Sequence, residues 1–101
     1  MFHSNEQHLS TIYEKSSEGP LSQSQRPNRC LLANDNTFLL MAFEQTLLHH
    51  FEIVDVFENG KEALEKVLLK RPSYYSVIIL DIQMPIMDGI EACKKIKKYF
   101  Q

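Results

Sequence analysis

The stretch that decides the fold is residues 77–89, VIILDIQMPIMDG. It begins with four apolar and mostly β-branched residues, Val77–Leu80, which predict a short strand buried on both faces, as in a parallel sheet. Asp81 follows, at the end of the strand where open α/β sheets bind their ligands. Asp88, with Glu91 three residues later, predicts an N-capped helix. The stretch therefore predicts a strand, an acidic side chain and a helix in succession.

Two more strand–helix units precede this one. Residues 29–33 predict a strand that ends in the polar cluster 34–36, and residues 37–51 carry apolar side chains at helical spacing. Residues 52–57 predict a second strand, at an edge of the sheet, and residues 59–71 a capped helix. The alternation of three strands with three helices predicts an α/β fold with a parallel sheet and helices on both faces.

Two acidic residues are expected at the same edge of this sheet. In the flavodoxin-like strand order, the first strand lies between the second and the third. Asp35 and Asp81 then project from neighbouring strands, which pairs them into one acidic site. Taken separately, Asn34 and Asp35 also fit a helix-capping turn, and an isolated Asp81 also fits a solvated strand end.

Residues 80–89, LDIQMPIMDG, closely resemble the phosphoacceptor segment of two-component receiver domains, which occur in response regulators and hybrid histidine kinases. The resemblance implies that Asp81 accepts a phosphoryl group from a kinase histidine. It also implies that Asp35, Asp81 and the backbone carbonyl of Gln83 bind Mg²⁺, a cation that prefers oxygen ligands. The family has Asp or Glu where this chain has Asn34. Because an amide oxygen can still order a metal-bound water, we expect weaker metal binding rather than none.

The resemblance further implies a phosphoacceptor module rather than an enzyme, with a histidine kinase or a phosphotransfer domain as its partner. It covers residues 29–101, which match only the first three of the family's five strand–helix units. The Ser or Thr of a fourth strand and the Lys of a fifth have no matching positions. We therefore expect a truncated receiver, or a piece of a larger protein such as a hybrid kinase. The third strand would then leave an apolar edge open to self-association.

Residues 1–28 differ from the remainder in composition. Ser, Gln, Pro and Gly dominate residues 16–28, so we expect a disordered polar tail or linker. Earlier in this segment, Leu9, Ile12 and Tyr13 would form at most a short helical stripe.

Composition excludes some classes of function. The formal charge of −2 gives no reason to expect a nucleic-acid partner, and no apolar run approaches the length of a membrane span. Cys30 and Cys93 lack a CxxC spacing and fit buried free thiols in a reducing compartment, so we expect a cytoplasmic protein.

Three other functions compete with a phosphoacceptor role. A pseudo-receiver that only binds partner proteins is favoured by Asn34 and by the missing Lys. A haloacid-dehalogenase-like phosphatase also uses an Asp after a buried strand, but it needs a second Asp where this chain has Gln83. A Rossmann nucleotide enzyme would need a G-x-G-x-x-G motif after the first strand, and that motif is missing.

Overall fold

A computed structural model of the chain describes residues 10–14 and 27–101. Within these residues, strands and helices alternate as expected after residue 28, and one further strand precedes them. The elements are β1 (Ser10–Glu14), β2 (Arg29–Ala33), α1 (Thr37–Leu47), β3 (Ile53–Phe57), α2 (Gly60–Leu68), β4 (Val77–Asp81) and α3 (Gly89–Phe100). None of the helices in this part of the chain is long and apolar enough to cross a membrane.

The strands form one sheet in the order β1-β4-β2-β3. β2 pairs in parallel with both β3 and β4, so the predicted flavodoxin-like order of the three parallel strands is confirmed. In this register Ala33, the last residue of β2, lies opposite Leu80 on one side and Phe57 on the other. The three parallel strands therefore end at the same edge of the sheet.

The main hydrophobic core lies between the sheet and the pair α2 and α3. Leu31, Ile78 and Leu80 point into it from the strands, and Val67 and Ile96 from the helices. Successive side chains of a strand point to opposite faces, so the buried Cys30 and Leu32 face the other side. α1 packs mainly against β2 and β3 and lies outside this cluster. The sheet thus has helices on both faces, as the sequence predicted.

Each helix begins at a residue whose side chain caps it. The side-chain oxygen of the capping residue accepts a hydrogen bond from the backbone N–H three residues later, which satisfies one of the helix's free donors. These bonds join Asn36 to Leu39 at 3.1 Å, Asn59 to Glu62 at 2.9 Å and Asp88 to Glu91 at 2.8 Å. The predicted caps at Asn59 and Asp88 are confirmed, whereas α1 and α2 end a few residues earlier than their apolar patterns indicated.

The strand β1 corrects two expectations. The interpretation of residues 1–28 as one disordered segment is wrong for Ser10–Glu14, and the helical stripe is wrong for Ile12 and Tyr13, which lie in a strand. Leu9 lies outside the described residues. β1 pairs antiparallel with β4 and covers the edge that was expected to be open to self-association. The composition of the segment does not predict this five-residue strand, because the strand is stabilised by pairing with its neighbour rather than by its own residues.

The burial of β4 also differs from the prediction of two buried faces. Ile78 and Leu80 are each only 1% exposed, whereas Val77 and Ile79 are half-buried. The reason is that α1 packs mainly against β2 and β3, so the face of β4 opposite the main core is less well covered.

Candidate functional site

The candidate site lies where β2 and β4 end. Asp81 is the last residue of β4, and Asn34 directly follows β2. Because Ala33 lies opposite Leu80, continuing the register by one residue brings Asn34 level with Asp81. On the other side of β4, Ser10 is the register partner of Asp81. The backbone of Asp81 is therefore held between two neighbouring segments.

The polar side chains expected at this edge line one surface hollow. Asn34, Asp35, Asp81 and Gln83 all contribute to it, together with Asp88. Asp81 is only 7% exposed, whereas Asp35 and Gln83 are open to solvent. The sequence predicted Asp88 only as a helix cap, so its place at the hollow is an addition. The short loop between β4 and Asp88 could have indicated this position, since a helix that begins a few residues after a strand must begin close to the end of that strand.

Asn34 has a structural role in addition to its place at the hollow. Its side chain is 2% exposed, and its Oδ1 accepts a hydrogen bond from the backbone N–H of Asn36 at 2.9 Å. Its own backbone N–H donates to the carbonyl of Phe57 at 3.0 Å. The amide therefore orders the loop that carries Asp35, which is the turn-forming use of Asn. An aspartate could accept the same hydrogen bond while adding a negative charge.

The loop from β4 to α3 turns back tightly against the strand. The N–H of Gly89 donates to the carbonyl of Ile82 at 2.9 Å. A Cβ atom at position 89 would overlap the carbonyl oxygen of Asp81, so only glycine allows this approach. The close approach brings the start of α3, capped by Asp88, beside the hollow.

The tip of the same loop holds a strained residue. Ile86 has a φ of 71°, and the N–H of Met87 donates to the carbonyl of Pro85 at 2.7 Å, which makes a γ-turn. A β-branched residue at positive φ is rare and costs free energy. The carbonyl of Met87 accepts a hydrogen bond from the N–H of Gly60 at 3.1 Å, which ties the loop to the start of α2. No sequence pattern indicated this conformation.

The oxygen donors at the hollow fit a hard cation that keeps most of its water. In the described part of the chain, no group of three or more His, Cys, Asp or Glu side chains could hold a metal ion. The donors are the two carboxylates of Asp35 and Asp81 together with amide and carbonyl oxygens such as those of Asn34 and Gln83. Mg²⁺ binds such small carboxylate sets and retains several waters, whereas zinc favours four nitrogen or sulfur ligands.

Two groups with strongly shifted pKa values, Cys30 and Tyr75, lie outside the hollow. Burial, with a further contribution from Asp55, raises the pKa of the Cys30 thiol to about 12. Burial and a 2.6 Å hydrogen bond to Asp55 raise the pKa of Tyr75. Cys30 and Cys93 are both free and buried, as expected from the sequence. These groups support the fold rather than the chemistry of the site.

Comparison with known proteins connects this geometry to one family. The model of the response regulator receiver domain matches residues 30–101. The chain is 41% identical over 69 residues to the chemotaxis protein CheY of Halobacterium salinarum, a match that covers 68% of this chain and 55% of that protein. It is 36% identical over 69 residues to the peroxide stress-activated histidine kinase mak1 of Schizosaccharomyces pombe, covering 68% of this chain and 4% of the kinase.

A third relative has a different name but a similar matching segment. The protein-glutamate methylesterase/protein-glutamine glutaminase of Archaeoglobus fulgidus is 44% identical over 69 residues, which cover 67% of this chain and 19% of that protein. The chain thus spans about half of CheY and a small part of the longer relatives. No solved structure matches it. The family match, the strand order and the acidic edge agree: the chain belongs to the response regulator receiver domain family.

Proposed function

We propose that residues 29–101 act as a phosphoacceptor module of a two-component phosphorelay. Asp81 takes a phosphoryl group from a histidine of a kinase or of a phosphotransfer domain. The observation that carries the proposal is the position of Asp81 at the end of a core strand, in one hollow with Asp35 and Gln83. The free, buried Cys30 and Cys93 suit a reducing compartment, and we place the module in the cytoplasm.

The transfer needs one nucleophile and exact positioning. A carboxylate oxygen of Asp81 forms a bond to phosphorus while the bond from phosphorus to the donor histidine nitrogen breaks, and that nitrogen keeps the electron pair. Phosphoryl transfer of this kind depends on alignment and charge stabilisation more than on covalent help from the protein. The pairing of β4 with strands on both sides fixes the backbone of Asp81 before the donor arrives.

Asp35, Asp81 and the Gln83 carbonyl are the groups that would hold Mg²⁺ here, with Asn34 acting through a bound water. The ion, when bound, offsets negative charge on the phosphoryl oxygens. The carboxylate of Asp35 supplies negative charge that draws the cation to the hollow, and its exposure leaves room for the ion's waters. The neutral Asn34 gives the hollow one fewer charge than a second acid would, so we expect weak binding.

The relatives support the partner class. One of them is named as a histidine kinase, and this chain matches a small part of its length. A segment of this family inside a kinase chain is placed to receive a phosphoryl group from a histidine. We therefore propose a histidine kinase or phosphotransfer domain as the partner, and we assign the chain no enzymatic activity of its own.

A second candidate is a pseudo-receiver that binds partner proteins without phosphorylation. Asn34 favours it, because the amide is buried and already engaged in ordering the loop. Exposed apolar side chains on α1 favour it too, since Phe38 is 77% and Met41 is 65% exposed. Both observations also fit a phosphorylated module that docks a kinase, so we rank this candidate second.

The deciding experiment is phosphorylation by a small donor. The chain is incubated with acetyl phosphate and Mg²⁺, and intact mass spectrometry counts the added phosphoryl groups. We expect one group on the natural chain and none on Asp81→Asn. Asp88→Asn is the matched control, because it also removes a carboxylate from the hollow while asparagine preserves the helix cap. A natural chain that stays unmodified while a complete receiver is labelled would favour the pseudo-receiver.

A further inference from the structure

The strand β1 occupies the outer edge of β4 along its whole length. The two strands pair antiparallel from Ser10 opposite Asp81 to Glu14 opposite Val77. β1 also packs against α3, and it is the terminal strand of the sheet in the described part of the chain. It therefore contacts the strand that ends at Asp81 and the helix that follows it.

The edge that β1 covers would attract another strand if it were open. β4 carries Ile78 and Leu80, which are both part of the main core, on a strand with no polar residue before Asp81. An uncovered strand of this kind presents unpaired N–H and C=O groups beside apolar side chains, and it pairs readily with any extended segment. Main-chain hydrogen bonds supply affinity in such pairing, and alternate side chains supply specificity.

The connection between β1 and the next strand does not force this arrangement. β1 and β2 flank β4, so Glu14 and Arg29 are separated by about two strand spacings, roughly 10 Å. Asn28 is held by hydrogen bonds to His50, Glu52 and Ile53, but residues 15–27 before it could span roughly 45 Å when extended, at about 3.5 Å per residue. The tether is far longer than its span, so β1 can leave β4 without disturbing β2.

We propose that the outer edge of β4 is a strand-binding site and that Ser10–Glu14 is its detachable occupant. In this structure the occupant comes from the same chain, and after its release a second copy of the chain supplies the same segment. The tether keeps the chain's own segment at an effective concentration on the order of 1 mM. The natural chain is therefore monomeric at micromolar concentration, and exchange between copies appears only as the chain concentration approaches about 1 mM.

The test uses the full chain with proline in β1. Successive residues of a strand direct their N–H groups to opposite edges, so one of Thr11→Pro and Ile12→Pro removes a hydrogen bond to β4 and the other does not. The two variants are each other's matched control. Amide hydrogen exchange is measured by NMR in Val77–Asp81. Exchange in Leu32 and Asp55 reports whether the β2–β3 pairing persists, since by strand alternation their N–H groups point across this pair.

We expect one variant to exchange its β4 amides at least tenfold faster than the other, with β2–β3 protection unchanged. A synthetic peptide of residues 8–16 should restore protection in that variant, and the same peptide carrying the proline should not. In sedimentation experiments the natural chain should be monomeric at micromolar concentration and begin to self-associate toward about 1 mM, whereas that variant, whose copies all carry the proline, should not associate through this edge. Equal β4 protection in both variants, or a peptide without effect, would overturn the proposal.

A further arm covers the case in which both proline variants unfold. The peptide is then titrated to millimolar concentration onto the natural chain. Chemical-shift changes confined to β1, β4 and the adjoining face of α3 would support strand exchange. No change at these concentrations, or changes spread over the whole sheet, would contradict it.

Discussion

The backbone of Gly89 lies directly against the backbone of Asp81. A Cβ atom at position 89 would overlap the carbonyl oxygen of Asp81. The contact closes the loop between β4 and α3, and it brings the capped start of α3 to the hollow around Asp81. The position of Asp81 is thus coupled to the residue type at position 89.

The first prediction concerns this contact. Gly89→Ala should lower the free energy of unfolding by about 1–3 kcal/mol, the usual range for overpacking, although alanine is otherwise the better helix former. Ile90→Ala is the control at the neighbouring position, where the side chain is half-exposed, and should cost less than about 1 kcal/mol. Urea unfolding of both variants measures the difference. A more stable Gly89→Ala chain would contradict the described loop.

The second prediction compares two adjacent isoleucines of β4. Ile78 is part of the main core, whereas Ile79 points to the less covered face. Ile78→Ala should cost about 2–5 kcal/mol, and Ile79→Ala clearly less, since the cost of truncation depends on the cavity left behind. Unfolding curves of the two variants decide the point. Equal losses would mean that both faces of β4 are covered alike, as the sequence alone had indicated.

The sequence predicted most of the fold because its signals are local. The polar caps Asn59 and Asp88 and the apolar spacing of each helix mark elements that form by short-range rules. The grouping of Asp35 with Asp81 followed from strand order alone. Two features could not be predicted in this way. β1 depends on pairing with a strand distant in sequence, and the positive φ of Ile86 depends on the tie between the loop and α2.

Parts of the burial pattern were equally hidden from the sequence. Phe43 and Ile90 occupy apolar positions of their helical patterns, yet both are partly exposed in the structure. Burial depends on which neighbours cover a face, and helical spacing only states which residues share that face. The sequence likewise did not predict that Asn34 orders its loop by accepting a hydrogen bond from the N–H of Asn36.

The third prediction concerns alkaline pH. Burial, with Asp55 second, raises the pKa of Cys30 from 9.0 to about 12 in the folded chain. The protonated thiol therefore contributes stability that is fully present below pH 9 and is lost as the pH rises toward about 12. The loss has a limiting slope of about 1.4 kcal/mol per pH unit for one proton. Cys30→Ala should have lower stability at pH 7 but a shallower decline above pH 9. An unchanged slope in denaturant unfolding would contradict the shift.

The fourth prediction concerns Asn34, the neutral residue beside the proposed metal ligands. Asn34→Asp should tighten Mg²⁺ binding roughly tenfold, because it adds a carboxylate to the hollow, and affinity follows ligand charge. Asn36→Asp adds the same charge at an exposed capping position of the same loop and should change the affinity less. Calorimetric titration with MgCl₂ compares the three chains. Equal affinity of Asn34→Asp and the natural chain would mean that position 34 lies outside the metal site.

The central claim is that Asp81 itself becomes phosphorylated, and locating the modified residue tests it most directly. The chain is treated with acetyl phosphate and Mg²⁺, and the acyl phosphate is then trapped with borohydride, which reduces a phosphorylated aspartate to homoserine. The chain is digested, and its peptides are sequenced by mass spectrometry. Our account predicts homoserine at position 81 and unaltered Asp35 and Asp88 in the same sample. Homoserine at position 35 or 88, or no reduced residue under conditions that label a complete receiver, would contradict it.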